Sequence, residues 1–584
     1  MFFIFINLLF MLHQDQPGNE LLTPFEKGNG NQTTTYEECI AWYQLLDQKS
    51  EEVKVLQYGT TSVGKPLHLV VISKDKIFSA AEIRNQDKRI YLINNGIHPG
   101  EPDGIDASMM FARDVLMKKE FNSILDHVVI IIIPVYNVSG MLNRGSFSRV
   151  NQNGPEAYGF RGTAQNYDLN RDFVKCDSRE AQTFTEIFRE WQPEIFVDTH
   201  VSNGADYQYT MTLIPSQPDK LQPMLAAYQE NTLLPDLNVA MKNAGFEMIP
   251  YVNTMEETPD SGLIQFLETA RYSTGYTALF NCIGMMPETH MLKAYTARVR
   301  STYQLLEEVA KVVNRDNVLI GENKKKADEA VTQQKEFPLT WILNEKKFEP
   351  IPFKGYVAKH TASEVSGLQR LYYDRKEPFE KDVKYYNHYE AATSVSKPFA
   401  YIIPQGWEAV IVRLKWNGIS IKRLTKDTTL NVNVYYIEDF KTVDRAFEGH
   451  FLHSNIKLHT EQQQLHYYKG DVVVFPNQSS NRYIVEMLEP QGADSYFAWN
   501  FFDPILMAKE YFSDYVWEDL AAELLQKDPA LKIALEERKE TDPEFAKDAN
   551  AQLHFVYKHS PYYEKSHQRY PVARLMEAMD LPLE

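Results

Sequence analysis

Short, continuously apolar runs alternate with amphipathic segments over about the first 310 residues of the chain. Such runs predict strands that are covered on both faces, and amphipathic segments predict helices. The predicted strands are 53–58, 67–73, 90–94, 128–134, 195–199 and 276–283, and the predicted helices are 36–48, 104–117, 179–191 and 292–313. Strands that alternate with helices indicate an α/β domain, with a mostly parallel, mixed sheet between helices on both faces.

Beyond residue 340 the pattern changes to short alternating strands between turns. These strands are expected at 351–359, 399–404, 409–416, 431–437 and 483–488, and a helical pattern returns at 505–539. They suggest a β-sandwich-like module. The charged segment 314–337 between the two patterns predicts a helical linker. We therefore predict an α/β domain at 21–315, a linker at 316–340, and a β-rich domain that ends in helices at 341–584.

The charge balance excludes one large class of partners. With 61 basic and 79 acidic residues among 584, the chain has a formal net charge of −18. Because a negative protein repels phosphate backbones, we expect no nucleic-acid partner. Cys39, Cys176 and Cys282 form no C-x-x-C pair, so we expect small buried hydrophobes rather than a thiolate metal site. The sequence does not define an oligomeric state.

The N-terminus begins with the apolar run Met1–Leu12. This run is too short to span a bilayer and is typical of the apolar part of a signal peptide, although no basic residues precede it. We predict an export signal at residues 1–20 and a periplasmic or extracellular location; a buried N-terminal strand is the alternative. No later segment is long and apolar enough to predict membrane insertion.

Histidine and acidic side chains follow two of the predicted strands. His98 and Glu101 lie between the strand at 90–94 and the helix at 104–117, and His200 directly follows the strand at 195–199. Since the carboxyl ends of parallel strands meet at one edge of a sheet, we expect the three side chains to lie close together. Two histidines and one carboxylate, with a fourth position left to water, form the ligand set of a catalytic zinc site.

Two further motifs carry candidate chemistry. Asn170-Arg171 places an amide beside a guanidinium, a combination suited to a substrate carboxylate. Glu288 follows the predicted strand at 276–283, where an acid near an activated water can act as a general base and then as a general acid. Each motif alone has a structural alternative, a surface ion pair for Arg171 and a structural acid for Glu288.

Together these residues resemble the zinc carboxypeptidase family typified by carboxypeptidase A. The order of His-x-x-Glu, Asn-Arg, His and a later Glu matches that of the family, and the resemblance covers about residues 30–310. The resemblance implies that His98, Glu101 and His200 bind one zinc ion per chain. It implies that Glu288 is the catalytic glutamate.

On the substrate side, the resemblance implies that Asn170 and Arg171 bind the C-terminal carboxylate of a peptide. It implies that Asp168 accepts a hydrogen bond from the first zinc histidine and fixes its tautomer. The family also uses a mobile tyrosine, for which Tyr272 is the assignment and Tyr276 the alternative.

The family stabilises the oxyanion with an arginine; we assign Arg161, with Arg144 and Arg149 as alternatives. The implied function is that of a zinc-dependent metallocarboxypeptidase, which hydrolyses the C-terminal bond of peptides or proteins by attack of an activated water. The alternatives are a zinc amide deacylase or cell-wall peptide hydrolase on the same fold, and a catalytically inactive binding protein. The preferred terminal residue, the natural substrate and the role of residues 341–584 are left open by the sequence.

Overall fold

The computed structural model describes residues 19–121 and 123–584. Almost all of the predicted export signal, including Met1–Leu12, lies outside the described residues. Within the described ranges, no helix is long and apolar enough to cross a membrane.

The chain folds into two compact units. The first contains the described residues up to Lys397 together with Val412–Ser420 and Pro476–Met487, and the second contains Pro398–Ile411, Ile421–Phe475 and Leu488–Glu584. The predicted domain boundaries near residues 315 and 340 stay a prediction.

The strands of the first unit are β1 (Val53–Tyr58), β2 (Leu67–Ile72), β3 (Arg89–Asn94), β4 (Val128–Ile133), β5 (Ile195–Asp198), β6 (His200–Ser202), β7 (Met211–Pro215), β8 (Met248–Pro250), β9 (Leu263–Ile264), β10 (Ile283–His290), β11 (Glu336–Leu343), β12 (Glu349–Ala362), β13 (Gln369–Tyr386) and β14 (Tyr389–Ser396). Those of the second unit are β15 (Ala400–Ile403), β16 (Lys422–Arg423), β17 (Thr428–Thr442), β18 (His453–Tyr467), β19 (Val472–Val474) and β20 (Ala573–Leu575).

The α-helices in chain order are α1 (Pro24–Lys27), α2 (Tyr36–Lys49), α3 (Ala80–Arg84), α4 (Asp103–Met117), α5 (Val138–Leu142), α6 (Arg179–Trp191), α7 (Pro223–Tyr228), α8 (Leu234–Asn243), α9 (Ser273–Ala278), α10 (Tyr295–Arg315), α11 (Asn317–Gln333), α12 (Glu408–Trp416), α13 (Asn481–Leu488), α14 (Asp514–Lys527), α15 (Pro529–Thr541) and α16 (Ala549–Lys558). The capping box that starts α2 uses Thr35 and Glu38, one of two overlapping pairs that fit the pattern.

The central sheet of the first unit is mixed and mostly parallel, as predicted. Its strand order is β1-β2-β4-β3-β5-β10-β7-β8, and β6 pairs with β10 beyond the end of β5. The strands β4, β3, β5 and β10 run parallel to one another. Every residue of these four strands is buried, which is expected where both faces of a sheet are covered.

The part of the chain beyond residue 340 is β-rich, as predicted, but its strands are longer than expected. In the first unit, β12 and β13 pair as a hairpin of 14 and 18 residues. In the second unit, one sheet has the order β16-β19-β15-β20-β17-β18. The helices α14 to α16 form a separate apolar cluster around Trp517 and Tyr557.

Three predicted strands are wrong. Segments 409–416 and 483–488 lie in the helices α12 and α13, and the segment 276–283 contains the end of α9, a turn and the first residue of β10. A short apolar run fits a buried helix as well as a buried strand, so periodicity alone did not separate them. The expectation for the cysteines is confirmed, since Cys39, Cys176 and Cys282 are all free and buried.

Candidate active site

Three candidate metal ligands converge at the carboxyl edge of the sheet. His98 follows β3 in a tight turn that places Gly96 at φ +64°, Glu101 precedes α4, and His200 begins β6. The side chains of the three ligands are almost fully buried. One donor atom from each lies within 4.8 Å of the others, as the strand-end argument predicts.

Two carboxylates orient the histidine rings, and of the two only Asp198 is fully buried. Asp168 lies 2.9 Å from Nε2 of His98, and Asp198 lies 3.1 Å from Nε2 of His200. If each Nε2 carries the proton, each Nδ1 keeps a lone pair and faces Glu101, at 3.3 Å from His98 and 3.1 Å from His200. The Nδ1 atom of His98 is buried without a hydrogen-bond partner. This donor set, two imidazole nitrogens and one carboxylate, fits zinc.

Two of the three candidate arginines reach this cluster. Arg149 Nη1 lies 2.8 Å from Glu101, while Arg161 lies 3.2 Å from Glu101 and donates through Nε to Asp168 at 3.0 Å. Although burial opposes ionisation, Arg149 and the neighbouring histidines hold the pKa of Glu101 well below its usual range. Arg144 instead donates to backbone carbonyl groups near α2, so it has a structural role.

Glu288 lies inside β10 rather than beyond a strand end. The strand pairing places it directly opposite His200 on one side and Thr212 on the other. The residue is buried, and this burial raises the pKa of Glu288 to about 7, although the charge of His200 opposes the shift. A carboxyl group with a pKa near neutrality is suited to both accepting and donating a proton.

The Asn-Arg pair is joined to the metal cluster through Asp168. The carboxylate of Asp168 accepts from the backbone N–H of Asn170 at 2.9 Å as well as from His98. Asn170 Oδ1 accepts from the N–H of Ser273 at the start of α9. The guanidinium of Arg171 stacks on the ring of Tyr272, 4.4 Å from its centroid. We call Asn170, Arg171 and Tyr272 the clamp.

Tyr276 is not part of the clamp. Its hydroxyl donates to Asn417 Oδ1 at 2.8 Å, and its ring packs in a buried aromatic cluster with Phe173 and Phe188. The geometry therefore separates the two tyrosine candidates and leaves Tyr272 beside the arginine.

A family model described as zinc carboxypeptidase matches residues 39–217 of the chain. The matched region contains the three candidate metal ligands and Asn170-Arg171, and the match points to a peptide hydrolase.

Proteins named as carboxypeptidases resemble the chain at low identity. "Carboxypeptidase 2" of Trichophyton tonsurans is 19% identical over 469 residues, which cover 78% of this chain and 79% of that protein. "Carboxypeptidase 2" of Trichophyton rubrum is 19% identical over 435 residues, covering 72% and 75%. Among solved structures, a metallo-carboxypeptidase from Pseudomonas aeruginosa matches with a TM-score of 0.36 and 14% identity over 48% of this chain and 69% of that chain. Carboxypeptidase A from Helicoverpa armigera matches with a TM-score of 0.37 and 15% identity over 49% and 73%.

Two residues near this candidate site were not predicted from the sequence, Asp198 and Tyr251. Asp198 stands two positions before His200, and residues two apart along an extended chain share a face, so the spacing was an available signal. Burial raises the pKa of Tyr251 far above its usual range, and the nearby charge of Glu288 raises it further. No local pattern marks Tyr251, since a distant part of the chain carries it to the site.

Proposed function

We propose that the protein is a zinc metallocarboxypeptidase that removes the C-terminal residue of peptides or proteins by attack of an activated water. One observation carries the proposal. The clamp and the three metal ligands are joined through a single carboxylate, Asp168, and Glu288 stands opposite His200 on the adjacent strand. A peptide bond beside Glu288 would therefore lie one residue from a carboxylate held by the clamp.

The metal would be held by His98, Glu101 and His200, and the donor chemistry supports one ion per chain. When bound, zinc supplies Lewis acidity, which lowers the pKa of water and polarises a carbonyl group. Glu288 accepts the proton of the attacking water and later donates it to the leaving amine, a cycle supported by its raised pKa.

We assign the stabilisation of the oxyanion to Arg161 rather than to Arg149. Each arginine has two side-chain partners, but Arg161 is 45% exposed and accessible to a substrate, whereas Arg149 is 17% exposed. Donors aimed at the position where negative charge develops lower the barrier directly. Arg149 then serves to orient the carboxylate of Glu101.

The clamp recognises a free carboxylate. A guanidinium and an amide together present several N–H donors, and the ring of Tyr272 keeps the guanidinium of Arg171 in position. An amidated terminus offers no negative charge to this pair. The clamp thus supports an exopeptidase and argues against an endopeptidase.

The test uses pairs of peptides that differ only in a free or amidated C-terminus. We expect the purified protein to release single terminal residues from the free peptides, and a chelator to stop the release. Glu288→Gln should lower kcat by about 10² to 10⁴ because the proton acceptor is lost. Glu194→Gln is the matched control, since Glu194 is also largely buried but lies before β5, at the opposite edge of the sheet.

Each contrary outcome has a distinct meaning. Equal hydrolysis of free and amidated peptides would refute the clamp, and turnover of N-acyl amino acids alone would favour a deacylase. A protein that binds zinc but turns over neither class would fit a cell-wall substrate, and one that binds no zinc would be a binding protein.

We also propose that the protein is exported, which the apolar run Met1–Leu12 supports. Cell fractionation and N-terminal sequencing of the mature protein test this. A protein found only in the cytoplasm with its first residues intact would contradict it.

A further inference from the structure

A loop beside the metal cluster exposes two large apolar side chains. We call residues 145–152 the rim loop. Within it, Phe147 is 95% exposed and Val150 is 94% exposed, while Arg149 between them points inward and is 17% exposed. Isolated exposed apolar residues are common on protein surfaces, but two within four positions at nearly full exposure form a local apolar contact surface.

The rim loop is fixed to the turn that carries the metal ligands. Arg149 Nη1 contacts Glu101 at 2.8 Å and Arg149 Nε donates to Gln152 at 2.7 Å. Gln152 in turn donates to the carbonyl group of Gly100 at 2.9 Å. A Cβ atom at Gly100 would approach the Arg149 side chain to 2.6 Å, so a glycine is needed for this close packing.

The base of the rim loop is equally well held. Backbone hydrogen bonds join Gly145 and Tyr158 in both directions, and the Tyr158 hydroxyl accepts from the backbone N–H of Arg149 at 3.2 Å. Phe147 and Val150 therefore project from an anchored loop next to Glu101. Because the backbone of the rim loop is already ordered, a ligand that covers these side chains loses little binding free energy to ordering the loop.

The clamp determines which part of a substrate can reach this surface. Asn170 is buried and the clamp receives the terminal carboxylate, so only one residue lies beyond the scissile bond. The remainder of the peptide must leave the site across its rim. An exposed side chain on the rim can therefore meet only residues on the N-terminal side of the scissile bond.

We propose that Phe147 and Val150 form a subsite that binds apolar side chains of the substrate upstream of the scissile bond. The inference rests on the proposed carboxypeptidase function and adds a substrate preference to it. Apolar contact with the pair removes hydrocarbon surface from water, and a leucine side chain that is partly covered in this way gains about tenfold in kcat/KM. The preferred substrates are peptides with apolar residues before the terminal one.

The test compares peptides that are identical except for Leu or Ser at the two positions before the scissile bond. The wild-type protein should favour the Leu peptide by about tenfold in kcat/KM, and the double variant Phe147→Ser, Val150→Ser should lower this ratio to about one. The matched control is Val365→Ser, because Val365 is 98% exposed in the turn between β12 and β13. The control should keep the wild-type ratio.

The zinc content and the melting temperature of each variant establish that the fold is retained, which is expected for substitutions at exposed positions. An unchanged Leu-to-Ser ratio in the double variant would overturn the subsite while leaving the carboxypeptidase function intact. So would an equal loss of activity on both peptides, which would mean that Arg149 had been displaced. Wild-type protein that releases no terminal residue from either peptide would overturn the proposed function and this inference with it.

Discussion

We expect Asp198 to control the tautomer of His200, a candidate metal ligand, and this role can be tested by removing one charge without changing the shape of the side chain. In the buried cluster, one carboxylate oxygen of Asp198 lies 3.1 Å from Nε2 of His200 and the other accepts from Nδ2 of Asn94 at 3.0 Å. The variant Asp198→Asn replaces one of these oxygens with an amino group. Because Asn94 donates to one position, the new amino group faces His200.

That arrangement reverses the tautomer of His200. An amino group can only donate, so Nε2 of His200 would have to accept, and the ring proton would move to Nδ1, where the lone pair for the metal is needed. If the side-chain amide of Asn94 rotated so that its oxygen faced the new amino group, the amide oxygen of the variant could face His200. The original tautomer of His200 would then be restored, but the negative charge of Asp198 would still be missing. The two situations bracket the expected loss of zinc affinity at about ten- to hundredfold, or about 1.4 to 2.7 kcal/mol.

The assay is a competition for zinc between the protein and a chelator of known affinity, with metal content as the readout. Asp168→Asn should behave similarly through His98, since it makes the matching contact. Asp328→Asn is the control, because Asp328 forms a surface ion pair with Lys324. Zinc affinity of Asp198→Asn within threefold of the wild type, in a protein that melts normally without metal, would refute the role of Asp198.

Three further predictions concern pH, substrate charge and stability. Burial raises the pKa of Glu288 to about 7, so the carboxylate that accepts a proton is lost as the pH falls. A bound cation stabilises the carboxylate and lowers this pKa. A pH profile of kcat/KM should therefore show an acid limb at or below about pH 7. Arg171→Gln should lower kcat/KM about ten- to hundredfold on peptides with a free carboxylate and leave amidated peptides unchanged, in parallel assays of both. Ile131→Ala leaves a cavity at a fully buried position in β4, so it should lower the free energy of unfolding by about 2 to 5 kcal/mol and lower the melting temperature. Ile342→Ala is the control, because Ile342 is 61% exposed and its loss should change neither quantity.

The convergence of the metal ligands could be predicted because it depends on local patterns. His98 and Glu101 lie in a strand-to-helix turn, and His200 follows the short apolar run of β5, which was correctly predicted as a strand. Parallel strands bring such turns to one edge whatever the exact order of the strands. The expectation therefore did not require knowledge of the sheet topology.

The position of Glu288 depends on topology, and here the sequence was less informative. The apolar run 276–283 predicts one strand, whereas its first three residues complete α9, a turn follows, and only Ile283 belongs to β10. Tyr276 is consequently a core residue of a short helix, which the apolar run concealed. The pairing that sets Glu288 opposite His200 joins segments far apart in the chain, and no local signal encodes it.

The same distinction between local and long-range signals explains why the sequence did not show which arginine reaches the site. Arg144, Arg149 and Arg161 lie in one glycine-rich stretch without periodicity, so no pattern states which of them turns inward. The direction of each side chain follows from the acceptor that its guanidinium contacts. Arg144 donates to backbone carbonyl groups, and the other two contact the carboxylate of Glu101. Since a buried Glu101 must be compensated by cations, two arginines at this position follow from the burial of the metal site itself. Arg161 is the more exposed of the two, and it is therefore the one that can exchange this contact for one with a substrate.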